Sequence, residues 1–170
     1  MTTVNRRLKY TGLLASAALF LFACAAPISD AILKDVDETA TLERIMKNPD
    51  ALRGRTVLLG GVIVSVENEQ GLTTLEIFEE PLDGRRRPST DPDKSSGRFM
   101  AEVKGFLDPA IYAKGRQITV AGRVKGSVSK PLDKTTYAYP VIDVIEHHLF
   151  KKEEPFRPAL HLGVGVGGRF

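Results

Sequence analysis

The chain contains one cysteine and three histidines among 170 residues. A single thiol cannot close a disulfide within the chain, and no cysteine or histidine stands at a spacing that completes a zinc ligand set. G-x-S-x-G, H-E-x-x-H and phosphate-loop patterns are all absent, so no common catalytic motif names a reaction. There is no internal repeat. The longest apolar run, residues 12–22, is short for a membrane-spanning helix, which takes about 20 apolar residues. Excess charge is lacking too. The formal balance is 24 Lys+Arg against 21 Asp+Glu, but Arg6, Arg7 and Lys9 precede the apolar run and no acidic residue does. Without residues 1–23 the balance is 21 against 21. The sequence pI of about 9.0 therefore belongs largely to the N-terminus and is not the footprint of a nucleic-acid or anionic-lipid binder.

What is present begins where that run ends, at Leu21-Phe22-Ala23-Cys24. A basic n-region, an apolar core of this length and a small residue before cysteine read as an export signal. Three fates compete. A lipoprotein peptidase can cut before Cys24, leaving the thiol to carry diacylglycerol and the new amino group an acyl chain. Ala23-Cys24-Ala25 can serve as an ordinary A-x-A site, which discards the cysteine. The segment can also stay uncut as an anchor. Leu21 and Ala23 fit the lipoprotein pattern and Phe22 departs from it. A lone thiol at this place favours the first fate, with lipid on Cys24 and no other cofactor. Ala25 follows the cysteine where an aspartate would favour inner-membrane retention. The expected location is the periplasmic face of an outer membrane.

Residues 24–170 suffice for one domain with a core. The reading divides the chain into a signal peptide at 1–23, a lipidated tether at 24–38, a β domain at 39–151 and a Pro/Gly-rich tail at 152–170. A short helix is expected over 42–46, ended by Asn48-Pro49. Strands are expected over 56–68, 72–78, 99–103, about 118–128 and 137–149. In the first, Val57 and Leu59 share one face and Val62, Val64 and Val66 the other, with the switch placed at Gly60-Gly61. In the fourth, Ile118, Val120, Val124 and Val128 face inward. A helical piece is expected over 108–113, between the third and fourth strands, with Asp108 as N-cap and Pro109 in the first turn. The order β-β-β-α-β-β, with a bent first strand, predicts a mainly β fold: a small five-stranded barrel of the OB type. A plain antiparallel sandwich is the alternative.

Several strings in order carry a resemblance. They are Thr74-Leu75-Glu76-Ile77, Pro81-Leu82-Asp83, Gly97-Arg98-Phe99, Gly105-Phe106-Leu107-Asp108-Pro109, Tyr112, Tyr137-Ala138-Tyr139-Pro140 and His148-Leu149. The chain resembles the Slp family of outer-membrane lipoproteins, described as starvation- or stress-inducible, over roughly residues 42–150 and at the N-terminus. The resemblance implies a lipid anchor and an association with envelope stress, and it implies no catalytic residues. The tail from Gly163 to Phe170 departs from the aromatic-rich end associated with some members.

The remaining candidates are weighed against plain structural roles. Arg85, Arg86 and Arg87 form forks suited to phosphate, for instance on an envelope glycolipid, but acidic residues surround them in a polar loop. His147 and His148 are adjacent on a strand and point to opposite faces, so they do not share a metal easily. Phe99, Phe106, Tyr137 and Tyr139 can stack bases or fill a barrel, and a neutral exported domain favours filling. Glu76, Asp83, Glu102 and Asp108 supply carboxylates without a motif. Leu162, Val164, Val166 and Phe170 alternate and can add as a strand to a partner, against the alternative of a flexible tail. The expectation is a non-catalytic, lipid-anchored envelope module that binds an envelope component or protein. The alternatives are a soluble periplasmic binding protein and a structural subunit of an outer-membrane assembly.

Overall fold

The computed structural model describes residues 27–89 and 91–152. Cys24, His161 and the tail from Gly163 to Phe170 lie outside the described residues. Five strands dominate: β1 (Thr56–Glu69), β2 (Leu72–Glu79), β3 (Arg98–Lys104), β4 (Gln117–Leu132) and β5 (Thr135–Leu149). They close into a barrel in the order β1-β2-β3-β5-β4, with β4 returning to β1. Neighbours are antiparallel except β3 and β5, which run parallel where Met100, Ala101 and Glu102 meet Val141, Ile142 and Asp143. This is the OB order that the sequence predicts.

The core is set by strand alternation. Leu75 and Ile77 of β2, Phe99 and Ala101 of β3, Ile118 and Val120 of β4, and Ile142 of β5 are fully buried. Each large apolar side chain buried this way contributes about 1.5–3 kcal/mol. In β1 the inward phase runs Val57, Leu59, Gly61, Ile63 without a break. The phase switch expected at Gly60-Gly61 falls instead between Ile63 and Ser65, where the register with β2 shifts. Val62 and Val64 are thus not core residues, and Ile63 is. The glycines have a different cause. A Cβ on Gly61 would overlap the Phe78 backbone carbonyl, so glycine there permits close approach of β2. Val128, expected inside, is 36% exposed because β4 and β5 run on past the barrel as a hairpin arm. The arm turns at Asp133 in the left-handed region, φ 54°, which suits a two-residue hairpin loop.

Helix α1 (Asp30–Leu33) and helix α2 (Leu42–Lys47) precede the barrel. The Thr41 hydroxyl caps α2 by accepting from the Arg44 N–H at 3.4 Å, and buried Leu42 and Ile45 join the barrel core. The helix expected over 108–113 is absent. Asp108 accepts backbone bonds from Ile111 and Tyr112 and its side chain accepts from Ala110 N–H at 2.8 Å, which makes one turn only. A single turn fixes several dihedrals for few bonds, and Gly115 at φ 87° prevents extension.

The segment read as a tether over 24–38 is, from Pro27 onward, part of the domain surface. Ile28 is fully buried. The Ser29 hydroxyl donates to Glu146 Oε2 at 2.8 Å. Val36 bridges Thr56 in parallel, and Asp37 N–H donates to the Thr56 carbonyl at 2.8 Å. Residues 27–37 therefore form a strap across the outer side of β5, β4 and β1.

Candidate functional site

The strap creates a cleft of about 620 Å³. Leu33, Val36 and Asp37 form one wall, Leu58, Leu59 and Gly60 of β1 lie along it, and residues 79–82 with Arg86 form the other wall. Leu42 and Glu43 of α2 close one side. The size is that of a small-ligand or peptide site, and the lining mixes apolar side chains with acidic ones.

Glu79 and Glu80 line this cleft and are 9% and 6% exposed. Glu79 holds the inward parity of Thr73, Leu75 and Ile77 along β2. That parity was the sequence signal for it, and the candidate carboxylates Glu76, Asp83, Glu102 and Asp108 omit it. Glu79 Oε2 accepts from Ser96 N–H at 2.7 Å, yet burial pushes its carboxyl above the usual carboxylate range. Burial pushes Glu80 up as well, against a long bond from Gln117 Nε2 at 3.5 Å, with the Glu79 charge adding to the rise. Among the described residues neither carboxylate has an ion-pair partner. At the mouth, Asp37 and Glu43 are held below the usual range, chiefly by hydrogen bonds from Thr39 and Lys47.

The three arginines do not form one fork. Asp83 Oδ1 accepts from the N–H groups of Arg85 and Arg87 at 2.8 and 2.9 Å, and these bonds, that from Arg87 foremost, hold its carboxyl below the usual range. The tight turn leaves Arg86 in the left-handed region, φ 59°. Arg85 is exposed at the tip and Arg86 lines the large cleft. Arg87 turns into a second cleft, of about 420 Å³, beside Arg116, Lys151 and Lys152. Its guanidinium lies 5.1 Å from the Phe150 ring centroid, and Nε donates to Gln117 Oε1 at 3.1 Å.

His147 and His148 separate as strand geometry requires. His147 Nε2 and the Tyr112 hydroxyl share a hydrogen bond of 2.9 Å, and burial lowers the His147 pKa. His148 packs edge-on against Phe150. Of the aromatic candidates, Phe99 and Tyr139 are buried, Tyr137 is partly buried and Phe106 is 72% exposed.

OB barrels commonly present the outer face of strands 2 and 3 to oligonucleotides. Here that face is occupied by the chain's own hairpin arm. The Tyr139 hydroxyl donates to Glu76 Oε1 at 3.2 Å, beside an Arg98–Glu76 ion pair of 2.6 Å. Lys125 pairs with Glu102, and Lys130 lies 3.7 Å from Glu67. Met100, Tyr139 and Val141 form a small apolar cluster under the arm. The arm's tyrosines and these ion pairs thus occupy the middle of this face, and Lys104 at the end of β3 stays exposed.

A barrel of this topology, with an apolar run ending in cysteine, meets its relatives at this point. The profile of the outer membrane lipoprotein Slp family matches residues 21–162. The chain belongs to that family. It is 36% identical over 135 residues to the uncharacterized lipoprotein YeaY of Escherichia coli (strain K12), covering 78% of this chain and 68% of that one. It is 30% identical over 95 residues to the outer membrane protein Slp of the same strain, covering 56% and 50%. An uncharacterized protein of Haemophilus influenzae is 29% identical over 96 residues, covering 56% of this chain and 52% of that one. The chain therefore spans about half the length of the latter two relatives. A crystal structure of a small single-stranded DNA-binding protein from Streptomyces coelicolor is similar at 13% identity and TM-score 0.36, over 56% of this chain and 94% of that one. That likeness is too distant to bear on ligand. Membership of the Slp family makes the chain an outer-membrane lipoprotein, and no enzyme family is indicated.

Proposed function

We propose that this Slp-family lipoprotein is a non-catalytic binding module on the periplasmic face of the outer membrane, held there by lipid on Cys24. It takes an envelope protein segment into the cleft between the strap and residues 79–86. The observation that carries this reading is the pair of buried carboxylates, Glu79 and Glu80, each hydrogen-bonded but without an ion-pair partner among the described residues, beside apolar side chains of the cleft. Removing a carboxylate from water without a partner is costly, and a ligand amine or guanidinium relieves that cost. The same carboxylates repel phosphate, which favours a peptide bearing Lys or Arg beside apolar side chains over a phosphorylated glycolipid. This makes the chain a partner-binding subunit in envelope integrity or stress tolerance.

The test is photo-crosslinking in cells from a reactive residue replacing Leu58, with Asp133 at the arm's tip as the control site. A discrete protein adduct from position 58 is expected. Glu80→Lys should reduce it about tenfold, since a reversed charge in a desolvated pocket costs more than the ~1.4 kcal/mol that equals one decade. Adducts no stronger than those from position 133, or adducts with lipid alone, would contradict the reading.

A further inference from the structure

The barrel end opposite the start of the strap's Val36–Thr56 bridge has no role in the cleft. There β3 leaves at Lys104, β4 begins at Gln117 and β5 ends at Leu149, and residues 105–116 close the opening. Four large apolar side chains lie on this connection. Leu107 and Tyr112 turn inward and pack on the core. Phe106 and Ile111 turn outward and are 72% and 54% exposed. Their exposure is built into a braced backbone. Thr73 Oγ1 accepts from Leu107 N–H at 3.0 Å, Asn68 Nδ2 donates to the Leu107 carbonyl at 3.1 Å, and Arg116 Nη1 donates to the Ile111 carbonyl at 3.0 Å.

Lysines share this end of the barrel. Lys104, Lys114, Lys151 and Lys152 are exposed at the same end and have no ion-pair partner among the described residues. Asp108 is tied into its own turn by the bond from Ala110. Exposed apolar side chains with four exposed lysines, against the exposed Glu69, at the same barrel end are the chemistry of contact with an anionic bilayer surface.

The course of the strap adds direction. Val36 lies at Thr56, which pairs with Arg123, whereas Ser29 lies at Glu146, which pairs with Ala121. Followed backward, the strap climbs toward Ile118 and Leu149, the end just described. Cys24 stands three steps of chain before Pro27, the first described residue, a reach of about 10 Å. The remaining rise from Ala121 to Ile118 is only about 10 Å.

We propose that this end is the membrane-facing surface of the domain: Phe106 and Ile111 enter the lipid interface and the lysines meet headgroup phosphates. The proposal rests on lipidation of Cys24, and its test keeps the two apart. Full-length protein carrying Phe106→Cys, Ile111→Cys or, as control, Asp133→Cys is expressed with labelled palmitate. It is then reconstituted into phosphatidylethanolamine–phosphatidylglycerol vesicles. Because Cys24 is the only native cysteine, its acylation leaves the new thiol free for an environment-sensitive fluorophore. Blue-shifted emission and at least threefold weaker iodide quenching at 106 and 111 than at 133 are expected. Palmitate-labelled protein quenched equally at all three sites overturns the membrane-facing surface while leaving the anchor intact. Absence of palmitate overturns the anchor, and the proposal with it.

Discussion

Gly61 and Glu79 face each other in the β1–β2 register, and each answers to a constraint that composition conceals. Gly61 lets the Phe78 carbonyl approach. Gly61→Ala should cost about 1–3 kcal/mol, as overpacking of a tight interior does. The expected result is a lower urea midpoint at unchanged slope; an unchanged midpoint would show that the strands part there freely. For Glu79 the sign follows from burial, which raises its pKa above the ordinary 4.5. Between those two values the folded chain keeps a proton that the unfolded chain has released. Stability therefore falls as pH rises through that window. Glu79→Gln cannot ionise and still offers an oxygen to Ser96 N–H. Its melting temperature should exceed the wild type's at about pH 7.5 and converge toward it near pH 4. An equal gap at both pH values would remove ionisation as the cause.

Among the elements, the strap decides the site. Alternating patterns reveal strands because a sheet repeats every two residues, and all five strands were legible within a few residues of their ends. A segment such as 27–37 has no period. Its place depends on Ile28 finding a site, on Glu146 meeting Ser29, and on a lone bridge from Val36 to Thr56, contacts between residues far apart in sequence. Ile28→Ala should cost about 2 kcal/mol or more, because a fully buried side chain is cut back. Amide exchange should quicken over 29–37 while the barrel strands keep their protection. Unchanged exchange in that stretch would mean the strap is held by other contacts. The same logic explains the missing helix at 108–113: Asp108, Pro109 and Gly115 carried cap and stop signals, but too few residues lie between them to sustain helical bonding.

For the whole molecule, location and shape come from different parts of the chain. Cys24→Ser should move the protein from the outer-membrane fraction to the soluble periplasm and abolish palmitate labelling, without altering the melting of the barrel. Retention in the membrane fraction would point to an uncut N-terminal segment instead. The barrel order was readable from sequence because it rests on strand periodicity, whereas Cys24 was read from a short linear pattern of the kind that processing enzymes recognise. Arg85, Arg86 and Arg87 were readable as a charge run, but a left-handed turn at Arg86 sends the last two into different clefts. Glu79 and Glu80 were readable only as acids at a strand end. Sequence by itself determined which residues alternate and where glycine interrupts, because those depend on neighbours in the chain. Only the tertiary structure decided that the strap and residues 79–86 face each other across a cleft, that the hairpin arm covers the outer face of β2 and β3, and that Phe106 and Ile111 stay outside. Those outcomes depend on which distant side chains compete for the same space and the same release from water.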